Sequence, residues 1–535
     1  MARFTPTTPQ TSQTSQTSQT SQTLQPPAVP AVDVSQPRES LVVSGRTQVE
    51  RLADFVVRVT YDDLSIRARH LLKAHTLDAL GCAIGALGAD PPARLRRQVD
   101  LFGGEALATF IGGGRSAPDR VALYNAALVR YLDFNDAFLA PGETCHPSDN
   151  VAPVLAASEF AGRDGKLFLT ALAVAYQIQC RLSQVAPVRA HGFDHTTQGA
   201  YAVAAGVAKA LDLDAAQTAQ AVAMSGTANN ALRVTRTGEL SHWKGLAYPF
   251  TAFAATNAAF LAREGVTGPR EVFEGNKGFI ETISGPFAID WEREDLEIVT
   301  QTILKRYNAE IHSQSALEGV LTLRERHHLQ PADMDQVAVE IFDVAYNIIG
   351  GGEEGDKRLV RTKEEADHSL PYLLAVALLD GEVTPDQFTP ERIHRDDVQR
   401  LLRRVSVKPL PQMSAGFPLL MPSHITITLR DGQTFAIEQD DYEGFLTRPM
   451  PWEHVVAKFN RLAAPFTERP VRDEIVEAVA NLESIPVAEL MRRLARVGGH
   501  TSPTKQANAA PAPTQRKRTA PSRTATARSG QERKS

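Results

Sequence analysis

The spacing of apolar residues changes once along this chain, near residue 330, and this change limits the folds that the chain can adopt. Before it, apolar residues recur at helical spacing in Ala-rich segments over 64–87, 119–132, 166–182, 196–211, 214–227 and 246–263. Residues that recur every three to four positions form one face of a helix. Several segments are apolar on most faces, as in helices that are buried among other helices. The pattern therefore predicts a large all-helical region.

Beyond residue 330 the pattern becomes that of β-strands. Apolar and polar residues alternate over 337–341, as in a half-buried strand. The alternation occurs again over 425–429 and 435–437, on either side of Asp431–Gly432, a dipeptide typical of a hairpin turn. This part of the chain is therefore predicted to contain a β-hairpin and at least one further strand.

Helical spacing returns near the end of the chain, over 452–463, 470–483 and 486–497. We therefore predict a mainly α protein with two domains. A large helical domain is formed by 47–300 together with 441–500, and a smaller α+β lid domain is formed by 301–440.

The two ends of the chain have compositions that do not favour folding. Residues 1–46 contain a TSQ repeat and a Pro-rich stretch, and 501–535 carry eight basic residues against the single acid Glu532. Such segments cannot bury enough apolar surface to offset their ordering entropy. Both are predicted to be disordered. The overall net charge of −5 argues against a dedicated nucleic-acid-binding protein.

Several observations bear on the compartment. Three cysteines are too few for a disulfide framework, which favours a reducing environment. The first residues lack the apolar core of a secretory signal, and Arg3 is the only basic residue before Arg38, whereas a mitochondrial transit peptide is Arg-rich. No run approaches the ~18–20 apolar residues that cross a bilayer. We expect a cytoplasmic protein without a membrane partner, and the mitochondrial matrix is the less favoured alternative.

The common cofactor motifs are missing from the sequence. It has no G-x-G-x-x-G directly after a predicted strand, no phosphate-binding G-x-x-x-x-G-K-[ST], and no C-x-x-C pair for zinc. Cys82, Cys145 and Cys180 are too widely spaced for the usual ligands of an iron–sulfur cluster. These absences favour a chemistry that uses no bound cofactor and no metal.

Two polar segments in the predicted helical region are candidates for a functional site. The first carries Asp133 and His146 between two apolar runs, and Asp133 would share one face with Asp136 if the preceding helix continued. The second places His195 directly before a predicted helix, whose free N–H groups suit a substrate carboxylate. Capping and turn formation are the structural alternatives for these residues.

Two further candidates are Lys244, which precedes an apolar helix, and Lys305, which lies at the junction of the two predicted domains. Ligand sites are common in such inter-domain clefts. Together the four segments supply histidines, carboxylates and cations. This set suits a small polyanionic substrate and proton transfer.

The same segments resemble the MmgE/PrpD family of 2-methylcitrate dehydratase and cis-aconitate decarboxylase. The matching strings are LDFNDAFLA (132–140), HPSDN (146–150), GFDHTTQGA (192–200), SHWKG (241–245), KRYNAEIHSQSALEG (305–319) and DHSLPYLLAVALLDG (367–381). Their order and spacing match the family over roughly 50–500.

The resemblance implies a homodimer with a site between the two domains, a small tricarboxylate substrate, and neither metal nor iron–sulfur cluster. It implies that His146 and His195 move protons and that Asp133 orients or polarises one of them. Lys244 and Lys305 are implied to hold substrate carboxylates. Which histidine is the base is left open.

Two departures from the family pattern affect the expected reaction. Ala137 stands where many relatives carry Thr, and Glu310 stands where the decarboxylase branch has a histidine. We therefore favour a hydro-lyase that acts on 2-methylcitrate, or citrate, over a cis-aconitate decarboxylase that produces itaconate. A non-catalytic helical binding protein, whose basic tail recruits partners, is the alternative from another class.

Overall fold

The computed structural model describes residues 45–498. The segments predicted to be disordered, 1–46 and 501–535, lie outside these residues except for Gly45 and Arg46. Between these limits the chain is mainly helical with short strands, which confirms the predicted fold class. No helix within 45–498 combines the length and the apolar composition that spanning a bilayer requires.

The part of the described chain before residue 300 forms nine α-helices. They are α1 (Gln48–Arg58), α2 (Ile66–Gly85), α3 (Asp90–Phe102), α4 (Pro118–Tyr131), α5 (Val151–Phe160), α6 (Gly165–Val185), α7 (Thr196–Leu211), α8 (Ala215–Ala228) and α9 (Trp243–Arg263). The helical spacing in the sequence predicted six of these. Asp214 precedes α8, and its carboxylate caps the helix by accepting a hydrogen bond from the Gln217 backbone amide at 2.8 Å.

After residue 300, six helices have seven residues or more. They are α10 (Gln314–Arg326), α11 (Leu370–Asp380), α12 (Asp396–Leu402), α13 (Trp452–Ala463), α14 (Arg469–Ala480) and α15 (Val487–Leu494). The strands of the described chain are β1 (Ala108–Thr109), β2 (Arg115–Ser116), β3 (Phe138–Ala140), β4 (Glu143–Cys145), β5 (Met334–Ile341), β6 (Val405–Pro409), β7 (Ser423–Leu429) and β8 (Thr434–Gln439).

The only sheet of more than two strands in the described chain has the order β6-β5-β7-β8. β5 runs parallel to β6 and antiparallel to β7. β7 and β8 form the predicted hairpin, with Ile425 opposite Ile437, and Gly432 adopts φ 88 in its turn. α10 packs closely on this sheet: a Cβ at Gly319 would lie 2.6 Å from Ile425 Cδ1, so a larger residue there would displace the end of the Ile425 side chain.

Apolar side chains collect in two separate cores. One is built from residues between 49 and 304 together with residues between 455 and 497. The other is built from residues between 303 and 445, with Ala137 added from the helical part. The domain limits proposed from the sequence remain predictions.

The returning helices pack closely against the first helices of the chain. A Cβ at Gly165, the first residue of α6, would lie 1.8 Å from the carbonyl oxygen of Leu482, so this contact is open only to glycine. Lys458 of α13 forms a buried ion pair with Asp78 of α2 at 2.7 Å. The Lys458 ammonium also donates to the carbonyl oxygens of Phe134 at 2.8 Å and Lys305 at 3.0 Å. The end of the chain thus holds two segments of the cleft described below.

Candidate active site

A narrow polar cleft, with a cavity volume of about 30 Å³, is lined by residues of the helical part and of the lid. Its charged and histidine lining consists of Arg130, Asp133, His146, Arg189, His195, Arg233, Arg236, Lys305, Glu310, His312, Glu354 and His368. Four of the five site residues predicted from the sequence are in this lining. The fifth, Lys244, lies directly behind Asp133.

Asp133 is positioned by the end of α4. The helix ends at Tyr131, and Asp133 adopts φ 56, a left-handed conformation that aspartate tolerates better than most residues. Its Oδ1 accepts from Arg130 at 2.6 Å and from Lys305 at 2.9 Å. Burial raises the pKa of Asp133, but the charges of Arg130 and Lys305 outweigh burial and hold it well below the usual value. Asp133 is therefore an ionised anchor for cations.

The expectation that Asp133 and Asp136 share one helix face is wrong because α4 ends before either residue. Asp136 instead points into the helical core, where its Oδ2 lies 2.8 Å from both His75 Nδ1 and the Tyr176 hydroxyl. Its Oδ1 accepts from the Ser148 hydroxyl at 2.6 Å. Asp136 therefore organises the structure behind the cleft and does not line it.

His146 follows the β3–β4 hairpin. Its Nδ1 lies 2.7 Å from the Asp136 carbonyl oxygen, and because a carbonyl only accepts, Nδ1 carries the hydrogen. Nε2 is then the ring atom left for proton transfer. Burial, followed by the charges of Arg130 and Lys305, lowers the pKa of His146 well below its usual value. The ring is therefore a neutral imidazole at neutral pH.

His195 lies at the N-terminus of α7, as the sequence predicted. Its ring centroid is 5.5 Å from that of His146, in an edge-to-face arrangement. Its Nδ1 lies 3.3 Å from Asp194 Oδ1, and its buried Nε2 has no hydrogen-bond partner within residues 45–498. Burial lowers the pKa of His195 well below its usual value, although Asp194 opposes this effect. The two predicted histidines thus form one adjacent, neutral pair.

Lys244 is the second residue of α9 and is buried. Its ammonium lies 2.6 Å from Asp367 Oδ1, 2.9 Å from His368 Nδ1 and 3.2 Å from Asp133 Oδ2. These three partners lie close enough together to be metal ligands, but the Lys244 ammonium occupies the space between them. Two of these contacts are ion pairs, so protein carboxylates hold the Lys244 ammonium in place.

Lys305 lies at the start of the lid and is fully buried. Its ammonium donates to the Asp133 carbonyl oxygen at 2.7 Å and to Asp133 Oδ1 at 2.9 Å. An ammonium has three N–H groups, so one remains for a ligand in the cleft. The contacts described for Asp133 are with cations and, at 3.7 Å, with His368, rather than with either predicted histidine.

Four arginines of the cleft were not among the predicted site residues. Arg130 pairs with Asp133, Arg233 with Glu354, and Arg236 with Asp194. Arg189 differs because its nearest carboxylate, Glu143, is 4.0 Å away, and its buried Nε has no hydrogen-bond partner in the described chain. Burial and the neighbouring Arg233 lower the pKa of Arg189 from its ordinary value. Among the cations of the cleft, Arg189 is therefore the one whose positive charge is least neutralised by protein carboxylates.

The sequence carried a signal for some of these residues but not for others. Arg233 and Arg236 lie in the RVTR segment ahead of Lys244, and His368 lies in the DHSLPY string. His312 lies in the string that begins at Lys305. For Arg189 no motif distinguished it from a surface arginine, since only the tertiary fold brings it to the cleft.

The comparisons with known proteins cover both parts of the molecule. The model of the MmgE/PrpD N-terminal domain matches residues 50–292, and the model of the MmgE/PrpD C-terminal domain matches residues 307–484. Together they span more than half of the chain.

Curated relatives match over most of their length. The chain is 25% identical to cis-aconitate decarboxylase of Mus musculus over 84% of this chain and 90% of that protein. It is 26% identical to 2-methylcitrate dehydratase of Escherichia coli K12 over 78% of this chain and 90% of that protein. It is 25% identical to the mitochondrial 2-methylcitrate dehydratase of Yarrowia lipolytica over 72% of this chain and 77% of that protein. These names describe lyase-type enzymes. With both domain models matched in order, the chain belongs to the MmgE/PrpD family.

Proposed function

We propose that this protein is a hydro-lyase that dehydrates 2-methylcitrate, or citrate as a related tricarboxylate, to an aconitate-type alkene. The observation that carries the proposal is the adjacent pair His146 and His195, with ring centroids 5.5 Å apart, in a cleft bordered by arginines and a lysine. The pair supplies proton transfer, and the cations suit a substrate with several carboxylates. The relatives named above support the reaction class.

Elimination of water makes two demands on the cleft. A base must take the proton from the carbon beside a carboxylate, and an acid must protonate the hydroxyl that leaves. Neutral imidazoles such as His146 and His195 have a lone pair that accepts the proton. Cations beside the substrate carboxylate stabilise the enolate-like charge that develops as the proton leaves.

The cations divide into two roles. Lys305 keeps one N–H for a substrate carboxylate, and Arg189 offers a guanidinium with little compensation by protein anions. Because Lys244 is already ion-paired with Asp367 and Asp133, we assign it to holding Asp133 in place. Asp133 in turn orients Lys305, so that Lys244 acts on the substrate through its neighbours.

Cis-aconitate decarboxylation is the second candidate reaction, since a decarboxylase is among the relatives. Two residues favour dehydration over it. Ala137 supplies no hydroxyl at a position where many relatives carry one, and it is buried in a backbone bridge with Ile303. Glu310 supplies a carboxylate where the decarboxylase branch has a histidine.

A substrate panel tests the proposal directly. Purified protein is incubated with 2-methylcitrate, citrate and cis-aconitate, and the products are followed by NMR and by ultraviolet absorbance of the new double bond. We expect an alkene from 2-methylcitrate or citrate. Itaconate and carbon dioxide from cis-aconitate would favour the decarboxylase instead, and no turnover of any tricarboxylate would refute both.

A matched pair of histidine variants tests the site. His195→Asn is expected to lower kcat by about 10²–10⁴-fold, the usual contribution of a general acid or base. His191→Asn, in the same segment but exposed, is the control and should retain full activity. If neither His195→Asn nor Lys244→Ala changes turnover or tricarboxylate affinity in folded protein, the non-catalytic binding protein becomes the better hypothesis.

We also propose that the protein is a homodimer and that it is cytoplasmic. Both proposals come from the sequence. Light scattering of the purified protein measures the first, and a monomer at micromolar concentration would contradict it. Fractionation of the native cells measures the second.

A further inference from the structure

A second carboxylate–histidine pair lies on the lid side of the cleft, in the turn that precedes α10. His312 Nδ1 lies 2.6 Å from Glu310 Oε1, and the other carboxylate oxygen of Glu310 accepts from the His312 backbone amide at 2.8 Å. Both carboxylate oxygens are therefore used to hold one residue. Since an ionised carboxylate only accepts, Nδ1 carries a hydrogen and Nε2 is the free ring atom.

The residues packed around His312 allow its Nε2 to meet a polar partner only on the side that faces the cleft. The imidazole packs against Phe342 and Phe417, with ring centroids 5.8 Å and 5.6 Å away, and these two phenylalanines stack on each other at 4.8 Å. Nε2 is buried and has no hydrogen-bond partner among the described residues, yet His312 lines the cleft. A buried polar atom without a partner is costly unless a ligand satisfies it.

The carboxylate of the pair is ionised at neutral pH. Burial raises the pKa of Glu310, but the charge and the hydrogen bond of His312 outweigh burial and lower this pKa to about 2. An ionised carboxylate stabilises the positive charge of an imidazolium beside it. The other titratable groups in the same lining, apart from the arginines, are Asp133, His146, His195, Lys305, Glu354 and His368.

We infer that His312, held by Glu310, is the acid that protonates the leaving hydroxyl, an inference that rests on the proposed dehydration. The Nε2–H proton of the imidazolium passes to the hydroxyl oxygen as the carbon–oxygen bond breaks, and that bond's electron pair leaves with the oxygen as water. The base on the helical side takes the proton from the neighbouring carbon, and the carbon–hydrogen electrons form the double bond. Solvent then returns one proton to His312 and removes one from the base.

This assignment separates acid from base by their surroundings. His146 and His195 are surrounded by arginines and are kept neutral, which suits a base. His312 is the cleft histidine hydrogen-bonded to a carboxylate that bonds to no cation in the described structure. His368 also contacts a carboxylate, Asp367, but this one is already paired with Lys244 and Lys363.

The test compares two leaving groups in three proteins. The wild type, His312→Asn and Glu310→Gln are assayed on 2-methylcitrate and on an analogue in which fluoride replaces the leaving hydroxyl, because fluoride departs with less need for an acid. We expect His312→Asn to lower kcat on 2-methylcitrate at least 100-fold with KM within threefold, and to lower kcat on the fluoride analogue less than tenfold. Thermal unfolding confirms that each variant is folded.

Glu310→Gln retains an acceptor for Nδ1–H but removes the charge. Its kcat should fall about tenfold, and the alkaline limb of the kcat–pH profile should move to lower pH, because the imidazolium then loses its proton more easily. The matched control is Glu340→Gln, from the partly exposed His424–Glu340 pair at 2.9 Å elsewhere on the lid, which should leave the profile unchanged.

Each outcome decides between the proposals. No turnover of 2-methylcitrate or citrate by the wild type overturns the proposed function and this inference with it. Wild-type turnover with full activity in His312→Asn, or with equal loss on both leaving groups, overturns only the role of His312. An alkaline limb that does not move in Glu310→Gln overturns that role even if His312→Asn fails to fold.

Discussion

The helical part and the lid supply the cleft in different ways. From the helical part, Arg130 and Asp133 come from the end of α4, His195 precedes α7, and Lys244 is the second residue of α9. From the lid, Lys305, Glu310, His312 and Glu354 lie in segments between the named helices and strands, and His368 lies just before α11. The helical part thus places its cleft residues at the ends of packed helices, and the lid places its cleft residues in the segments that connect helices and strands.

The two sides also hold their charged side chains in place by different contacts. Helix-end residues are held by ion pairs to neighbours, as Arg130 and Lys244 are held by Asp133. The lid pair Glu310–His312 is held by two hydrogen bonds within one turn. Changes on the helical side should therefore lower both stability and activity, whereas changes on the lid side should lower activity without a matching loss of stability.

Asp133→Asn should give the largest effect. It leaves the buried cations Arg130, Lys244 and Lys305 without their shared anion, which should lower the free energy of unfolding by about 3–5 kcal/mol and abolish turnover. Urea unfolding measures the stability. Asp62→Asn, whose side chain is 96% exposed, is the control and should change stability by less than about 0.5 kcal/mol. A stable Asp133→Asn would mean that the ion-pair cluster does not anchor the helical side.

The stability of the lid side should depend on pH through Glu310. The pKa of Glu310 is about 2 in the folded protein against an ordinary value of 4.5, so its stabilisation of the fold is complete above pH 4.5 and is lost as the pH falls towards 2. Between pH 5 and pH 3 the free energy of unfolding of the wild type should fall by about 2 kcal/mol more than that of Glu310→Gln. Urea unfolding at both pH values measures this difference, and parallel losses in the two proteins would contradict it.

Arg189→Gln tests a helical-side residue without a strong ion pair. Because few protein carboxylates neutralise its guanidinium, the change should raise KM about tenfold, which corresponds to about 1.4 kcal/mol of binding free energy. The free energy of unfolding should stay within about 0.5 kcal/mol of the wild-type value. Arg236→Gln is the contrast, since it leaves the buried Asp194 short of a partner and should destabilise the fold. Equal destabilisation by the two changes would remove the distinction between them.

The smallest effect is expected outside both parts. Deleting 1–46 and 501–535 should leave kcat and KM within twofold of the full chain, because the cleft groups described within 45–498 all lie in the remaining residues. Steady-state kinetics of the shortened protein measure this. Loss of turnover in a folded product would show that an end of the chain contributes to the cleft.

Local patterns were enough to predict the regular elements. The long helices and the β7–β8 hairpin follow from apolar spacing and from the Asp431–Gly432 turn, which act over neighbouring residues. Four predicted site residues meet in the cleft. Their polar segments made them candidates, and the resemblance to a known family supplied their roles.

Features that depend on tertiary contacts could not be predicted in the same way. The parallel pairing of β6 with β5 joins residues about 70 positions apart, and no local pattern records it. The turn of Asp136 away from Asp133 depends on where α4 ends and on buried partners such as His75 and Tyr176. The position of Arg189 beside Arg233 likewise depends on the packing of the fold.

Lys458 has a consequence for the order in which the protein becomes complete during synthesis. Its ammonium holds the carbonyl oxygen of Lys305, a residue made 153 positions earlier, as well as that of Phe134. At about 5–20 residues per second, that interval takes a ribosome roughly 8–30 s. Late in this interval, once His368 has been added, both parts that line the cleft have left the decoding centre, but Lys458, which holds them together, has not been made. A nascent chain of this design therefore gains its complete cleft only when its last helices have been translated.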